Sequence, residues 1–139
     1  MELKKIFTFD AAHFLPCLPE SHPCSKMHGH HFKIAVSVKG KVRSGHGWVM
    51  DYGEIKEKTQ PLIQQLDHSV LNDIPGLENP TSEQIALWFW NRLKSRLDLL
   101  NAIEVWESET SQCIYRGESV SGRNKLRINP ITSKRKKDD

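Results

Sequence analysis

The chain has 139 residues, a length that suits one domain with its own core and leaves little room for two. Apolar residues make up 37% of the sequence and charged residues 27%, ordinary values for a soluble globular protein. No apolar run approaches the roughly 20 residues that a membrane helix needs, and the N-terminal sequence MELKKIFTFD lacks the features of a secretory signal. We therefore expect a cytoplasmic protein with no membrane segment, in which the cysteines stay as thiols.

The C-terminal sequence KLRINPITSKRKKDD carries much of the net charge of +3. A basic segment of this kind is typical of a solvated, disordered tail, although it could also contact nucleic acid. We predict a folded domain over residues 1–118 and a basic, disordered tail over residues 119–139.

Two strands are predicted in the first third of the chain, at residues 3–13 and 28–39, because apolar residues alternate there. One face of the first strand carries Phe7, Phe9, Ala11 and His13. One face of the second carries His28, His30, Phe32, Ile34, Val36 and Val38. The proline-rich sequence FLPCLPESHPCSKM between them predicts a loop. Further on, SGHG predicts a turn and WVMDY a short strand.

Two helices are predicted next. Asp51 and Glu54 have the spacing of a capping box, which predicts a helix through EIKEKTQPLIQQL, and Pro61 should kink or break that helix. The sequence TSEQIALWFWNRLKSRL predicts a second helix with Thr81 or Ser82 as its N-cap and one apolar stripe: Ile85, Trp88, Phe89, Leu93 and Leu97. Two more strands, at residues 101–109 and 112–116, complete an α+β pattern with helices on one face of an antiparallel sheet.

The histidines are the first candidate site. His28 and His30 lie two apart on a strand, so both point to its apolar face. They are either core histidines bonded to backbone or ligands of a shared metal ion. If the first strand pairs antiparallel with the second, His13 joins them. Three imidazoles suit zinc with a fourth position open for catalysis, whereas Cys24 could close the site as a fourth ligand.

Three further residues and pairs carry possible chemistry. Cys24 lies in a polar loop setting, where a thiol could act as a base or nucleophile. In the Asp67–His68 pair, the carboxylate would fix the ring tautomer for proton transfer. Glu107 continues an apolar strand face, where a carboxylate needs a donor such as an arginine or an aminopyrimidinone ring, unless it turns to water at the strand end.

These segments resemble the 6-pyruvoyltetrahydropterin synthase family. The matching sequences are FDAAH, CSKMHGHHF, GWVMDYGEIK, LDHSVLNDIPGLENPTSE and CIYRGES, and the likeness runs from about Leu3 to Glu118. It implies the tunnelling fold (T-fold), a four-stranded antiparallel sheet with two helices packed on one face. It also implies that protomers join into an oligomeric barrel, a homohexamer built as a dimer of trimers, with active sites between subunits.

The resemblance also implies the roles of the candidate residues. His13, His28 and His30 would bind Zn²⁺, and Cys24, Asp67 and His68 would be catalytic. Glu107, Thr81 and Ser82 would bind the substrate.

The short spacing between Cys24 and His28 resembles the bacterial branch that serves queuosine (7-deazapurine) biosynthesis. Its reaction, a carbon–carbon lyase reaction, converts 7,8-dihydroneopterin triphosphate to a 6-carboxylated tetrahydropterin and releases acetaldehyde and triphosphate.

Three alternatives stay open on the sequence alone. A pyruvoyl-forming or aldolase-like pterin enzyme would use the same residues. A zinc-stabilised nucleic-acid-binding module would depend on the basic tail, but the rest of the chain has no basic stripe interleaved with aromatic residues. A non-catalytic assembly protein would bind zinc without turnover.

Overall fold

The computed structural model describes residues 1–118. In that range the elements are, in chain order, β1 (Glu2–His13), β2 (His28–Lys39), α1 (Tyr52–Leu66), β3 (Ser69–Val70), α2 (Ser82–Leu93), β4 (Leu100–Ser108) and β5 (Ser111–Tyr115). The predicted basic tail, 119–139, lies outside the described residues. Within residues 1–118, neither helix is long and apolar enough to cross a membrane.

The strands form one sheet in the order β3-β1-β2-β4-β5. Strands β1, β2, β4 and β5 pair antiparallel in that order, which confirms the predicted α+β class. The predicted count of four strands was wrong, because the two-residue strand β3 adds a fifth. It pairs in parallel with Ala11 and Ala12 of β1, and a strand of this length is too short to show the alternation by which strands are predicted.

Both helices pack on the same face of the sheet and bury a continuous apolar core against it. The predicted stripe of Ile85, Trp88, Phe89, Leu93 and Leu97 is almost fully buried, although α2 ends at Leu93 and Leu97 lies after it. The facing side of β1 and β2 contributes Phe9 and Phe32, whose rings stack with centroids 5.0 Å apart. Since burying one large apolar side chain contributes roughly 1.5–3 kcal/mol, this layer holds the sheet beneath the histidines in a fixed position.

Asp51 is the N-cap of α1 as predicted, but its carboxylate accepts a hydrogen bond from Gly53 N at 2.8 Å rather than from Glu54 N of the predicted capping box. Pro61 lies inside the helix without ending it, so the predicted break does not occur there. Pro61 and Glu57, whose carbonyl loses its usual partner, are both on the exposed side. Water can therefore take the place of the missing N–H, while the buried face of the helix holds both halves against the sheet.

The predicted strand WVMDY is wrong. The loop before α1 folds back on itself, because Arg43 N donates to Trp48 O at 2.8 Å and Gly47 N donates to Arg43 O at 3.0 Å. Gly47 takes a positive φ of 73°, a conformation that glycine adopts without strain. The last part of the predicted strand belongs to the helix cap at Asp51.

Candidate active site

The pairing of β1 with β2 brings three histidines together. His13 lies directly opposite His28, and Ala11 lies opposite His30, so all three rings project from the sheet face that carries the helices. Their centroids are 4.5 Å (His13–His28), 5.2 Å (His13–His30) and 4.9 Å (His28–His30) apart. One ring nitrogen from each lies within 4.8 Å of the others, a spacing at which all three can bind one metal ion.

Backbone carbonyls orient two of these rings. Nδ1 of His13 donates to Pro80 O at 2.8 Å, and Nδ1 of His28 donates to Lys26 O at 2.7 Å. Because a carbonyl only accepts hydrogen bonds, each Nδ1 carries the hydrogen and each Nε2 keeps a free lone pair. Hydrogen bonds of this kind orient histidine ligands in metal sites.

His13 is fully buried, and its Nε2 has no hydrogen-bond partner among the described residues. Burial lowers the pKa of His13 and the neighbouring His28 lowers it further, although the bond to the Pro80 carbonyl opposes them. The ring is therefore neutral at pH 7, the form that binds metals. A buried acceptor without a partner is costly, so this donor set fits a metal ion.

Cys24 lies in a short 3₁₀ turn, Pro23–Ser25, in the loop between β1 and β2. Its N–H donates to His22 Nδ1 at 3.1 Å, and its carbonyl accepts from Leu15 N at 2.8 Å. The half-buried thiol is not part of the three-histidine cluster. This arrangement favours a three-histidine site over the closed alternative with Cys24 as fourth ligand.

Asp67 and His68 follow the C-terminal end of α1, and His68 Nδ1 lies 2.9 Å from Asp67 Oδ2. His68 has a positive φ of 58°, which is uncommon for a residue other than glycine. The N–H of Asp10 and the His68 ring, in that order of effect, lower the pKa of Asp67. The carboxylate stays ionised, so it can hold the His68 ring in the Nδ1–H tautomer.

Of the predicted substrate-binding residues, Glu107 lies beside the histidine cluster, and Thr81 and Ser82 follow Pro80 at the beginning of α2. Glu107 Oε1 lies 3.5 Å from His13 Nε2. Thr81 is the N-cap of α2, and its hydroxyl oxygen accepts from Gln84 N at 3.2 Å. Pro80, which accepts the bond from His13, immediately precedes Thr81 and Ser82. The hydrogen bond from His13 to Pro80 therefore holds the N-terminal end of α2 next to the cluster.

The sequence model of the 6-pyruvoyl tetrahydropterin synthase (PTPS) family matches residues 2–118. The chain belongs to this family.

Named relatives of this PTPS-family chain differ in activity. The 6-carboxy-5,6,7,8-tetrahydropterin synthase of Synechocystis sp. is 40% identical over 84% of this chain and 94% of its own. The dihydroneopterin monophosphate aldolase of Pyrococcus furiosus is 35% identical over 72% of this chain and 83% of its own. The solved 6-pyruvoyl tetrahydropterin synthase of Caenorhabditis elegans shares the fold, with a TM-score of 0.78 and 24% identity over 85% of this chain and 96% of its own.

Sequence reasoning missed Asp10, which contacts the Asp67–His68 pair through its backbone and His31 through its side chain. It placed His31 correctly on the opposite face of the sheet, as exposed or locally bonded. The available signal was the alternation in FDAAH, which puts Asp10 on the face opposite to His13.

Proposed function

We propose that the chain is a zinc-dependent 6-carboxy-5,6,7,8-tetrahydropterin synthase of queuosine biosynthesis. It would convert 7,8-dihydroneopterin triphosphate and water to 6-carboxy-5,6,7,8-tetrahydropterin, acetaldehyde and triphosphate. The observation that carries the proposal is the cluster of His13, His28 and His30. Within it, the buried Nε2 of His13 has a lone pair that needs a partner. The identity to the Synechocystis enzyme supports this product over others.

In this proposal the three histidines hold zinc. When bound, zinc supplies Lewis-acid stabilisation of negative charge that develops on the substrate's side chain. Neutral imidazoles suit this ion, and the carbonyls of Pro80 and Lys26 keep two of the rings in the required tautomer.

Cys24 and His68 would move the protons. The Cys24 thiol, as thiolate, removes a proton from the substrate's side chain, and the ring of His68 delivers or accepts another. The ionised Asp67 keeps hydrogen on Nδ1 of His68, which leaves Nε2 for the transfer.

Glu107 would anchor the pterin ring. A carboxylate accepts two parallel hydrogen bonds from an amide N–H and an adjacent amine, which an aminopyrimidinone ring offers. The Glu107 side chain is 32% exposed, so it is accessible to a ligand. Thr81 and Ser82 would contribute hydroxyl contacts from the beginning of α2, since Thr81 can donate its own hydrogen while it caps the helix.

We also propose that the active sites form between subunits of a homohexamer, a dimer of trimers. On the edge away from its neighbouring strand, β5 has no strand partner within residues 1–118, and neither do residues 2–9 of β1 on the edge away from β2. Both edges are therefore available for pairing between chains. Light scattering should give roughly six times the chain mass of 16.0 kDa, and a monomer would contradict the assembly.

Product analysis tests the proposed reaction. Purified zinc-loaded protein is incubated with 7,8-dihydroneopterin triphosphate, and the products are identified by mass spectrometry. Acetaldehyde with a carboxylated tetrahydropterin supports the proposal. A 6-pyruvoyl product or a hydroxymethyl pterin would instead assign the pyruvoyl-forming or aldolase activity.

A further inference from the structure

His13 is the last residue of β1, and the end of a strand frays unless its backbone is held. On one edge β2 holds it, because His13 lies opposite His28. On the other edge the short strand β3 pairs only with Ala11 and Ala12. The backbone that follows His13 therefore needs a different partner on the β3 side.

The side chain of Asn72 is that partner. Phe14 N donates to Asn72 Oδ1 at 3.1 Å, and Asn72 Nδ2 donates to Phe14 O at 2.8 Å. Past β3 the chain turns into a short 3₁₀ segment, Leu71–Asp73, so its backbone cannot continue the ladder. A carboxamide has an acceptor and donors like those of a peptide group, and here it takes the place of the missing backbone partner.

The same amide also contacts the segment that orients the ring of His13. Asn72 Nδ2 lies 3.4 Å from Glu78 O, and Glu78 belongs to the same short segment as Pro80. The Pro80 carbonyl accepts the hydrogen bond from His13 Nδ1 at 2.8 Å. Asn72 therefore links the backbone next to His13 with the segment that carries the ring's hydrogen-bond partner.

The chemistry of these bonds requires an asparagine. The N–H of Phe14 can only donate, and the carbonyls of Phe14 and Glu78 can only accept, so the orientation of the amide is fixed. An aspartate has no donor for the two carbonyls when it is ionised. All three contacts of the Asn72 side chain are with backbone groups, which suits a role in holding the chain in position.

We propose that Asn72 is a positioning residue for the metal site. It holds His13 and Pro80 in the relative position that directs the buried Nε2 of His13 toward His28 and His30. The inference rests on the zinc site of the proposed function. Without the amide, part of the binding free energy of zinc would be spent on ordering the end of β1, so the affinity for zinc would fall.

Zinc affinity tests this role without turnover. The dissociation constant of zinc is measured at pH 7 by competition with a chelating dye, for wild type and Asn72→Ala. Loss of a group that bonds a histidine ligand directly weakens metal binding roughly 10- to 100-fold. Asn72 acts through the backbone and through Pro80, so we expect a loss of roughly ten-fold, the low end of that range.

Two ligand variants show whether the effect passes through His13. In a His28→Gln background His13 still binds the ion, so Asn72→Ala should weaken zinc binding by the same factor as in wild type. In a His13→Gln background the positioned ligand is gone, and Asn72→Ala should leave the weakened zinc binding unchanged. General damage to the fold predicts the same factor in both backgrounds.

Two controls separate positioning from loss of stability. Asn101→Ala removes another asparagine amide, which donates to Glu2 Oε1 at 2.9 Å, and should bind zinc like wild type. Ile103→Val removes a methylene from a fully buried core residue of β4. It should lower the melting temperature of the zinc-free protein and leave the dissociation constant of zinc unchanged.

Equal zinc affinity in wild type and Asn72→Ala would overturn the inference. So would a loss that persists in the His13→Gln background, an equal loss of affinity in Ile103→Val, or no zinc binding by wild type. A failure of the proposed reaction is distinguishable, because it appears as absence of the carboxylated product from zinc-loaded wild type while the ratio of zinc affinities persists.

Discussion

Zinc should raise the thermal stability of the wild type, and His28→Ala should abolish that rise. His28 is the best ligand to remove, because it is half-buried and its carbonyl partner belongs to the exposed residue Lys26. Substituting the fully buried His13 would instead open a cavity beneath the Pro80 carbonyl. The effect of His28→Ala on stability therefore reports mainly the loss of a ligand.

The expected magnitude follows from the preformed site. Its ring nitrogens already lie within 4.8 Å of one another, so little reorganisation opposes binding. Zinc at 100 times its dissociation constant stabilises the native state by about 2.7 kcal/mol. For a domain of this size 1 kcal/mol shifts the melting temperature by roughly 4 °C. The wild type should therefore melt about 10 °C higher with zinc than after treatment with EDTA.

Differential scanning fluorimetry at pH 7, with and without zinc, measures the shift. His46→Ala serves as the matched control, since His46 lies in the loop before α1 and outside the cluster, and it should keep the full shift. Equal melting temperatures of the wild type with and without zinc would refute a metal site at the three histidines. A full shift in His28→Ala would refute the role of that residue as a ligand.

The other predictions concern catalysis, substrate binding and acid stability. Cys24→Ala should lower kcat by at least about 100-fold with zinc content unchanged by elemental analysis; loss of zinc would make Cys24 a ligand. Glu107→Ala should raise KM for the pterin roughly ten-fold or more, as expected for loss of charge-assisted hydrogen bonds, and keep zinc, whereas an unchanged KM counts against the anchor role. The pKa of Asp67 is lowered from its ordinary 3.8, chiefly by the Asp10 N–H. Its stabilising effect should be complete at pH 7 and decline as the pH falls below about 4 toward the lowered pKa. In urea titrations of the zinc-free protein, wild type should therefore be more stable than Asp67→Asn at pH 7, and this difference should shrink at pH 3; a constant difference would contradict the assignment.

The histidine cluster was predictable from the sequence, because it depends on two regular features. Alternation puts His28 and His30 on one face of β2, and antiparallel pairing brings the end of β1 to the beginning of β2. His13 opposite His28 is the register that results. The two helices and their caps at Asp51 and Thr81 were predictable for a similar reason, since capping residues and apolar periodicity are local signals.

What could not be predicted depends on contacts between residues distant in sequence. The carbonyl partner of His13 belongs to Pro80, and the partner of the Asp67 carboxylate is the N–H of Asp10. Nearly every residue has the same backbone C=O and N–H groups, so the amino-acid type at a position does not show which of them will bond to a distant side chain. The break predicted at Pro61 was wrong because propensity takes no account of which side of a helix faces water, and tertiary packing overrides it.

The number of residues between Asp10 and His13 in β1 is fixed by the opposite sheet faces on which their side chains lie. Asp10 and His13 are separated by an odd number of positions, so Asp10 lies on the sheet face away from the helices and His13 on the face that carries them. Inserting or deleting one residue between them would turn both toward the same side. Inserting or deleting one residue at Ala11 or Ala12 should therefore disrupt both the three-histidine cluster and the Asp67–His68 pair that Asp10 contacts. A conservative replacement of either alanine would keep the spacing between Asp10 and His13.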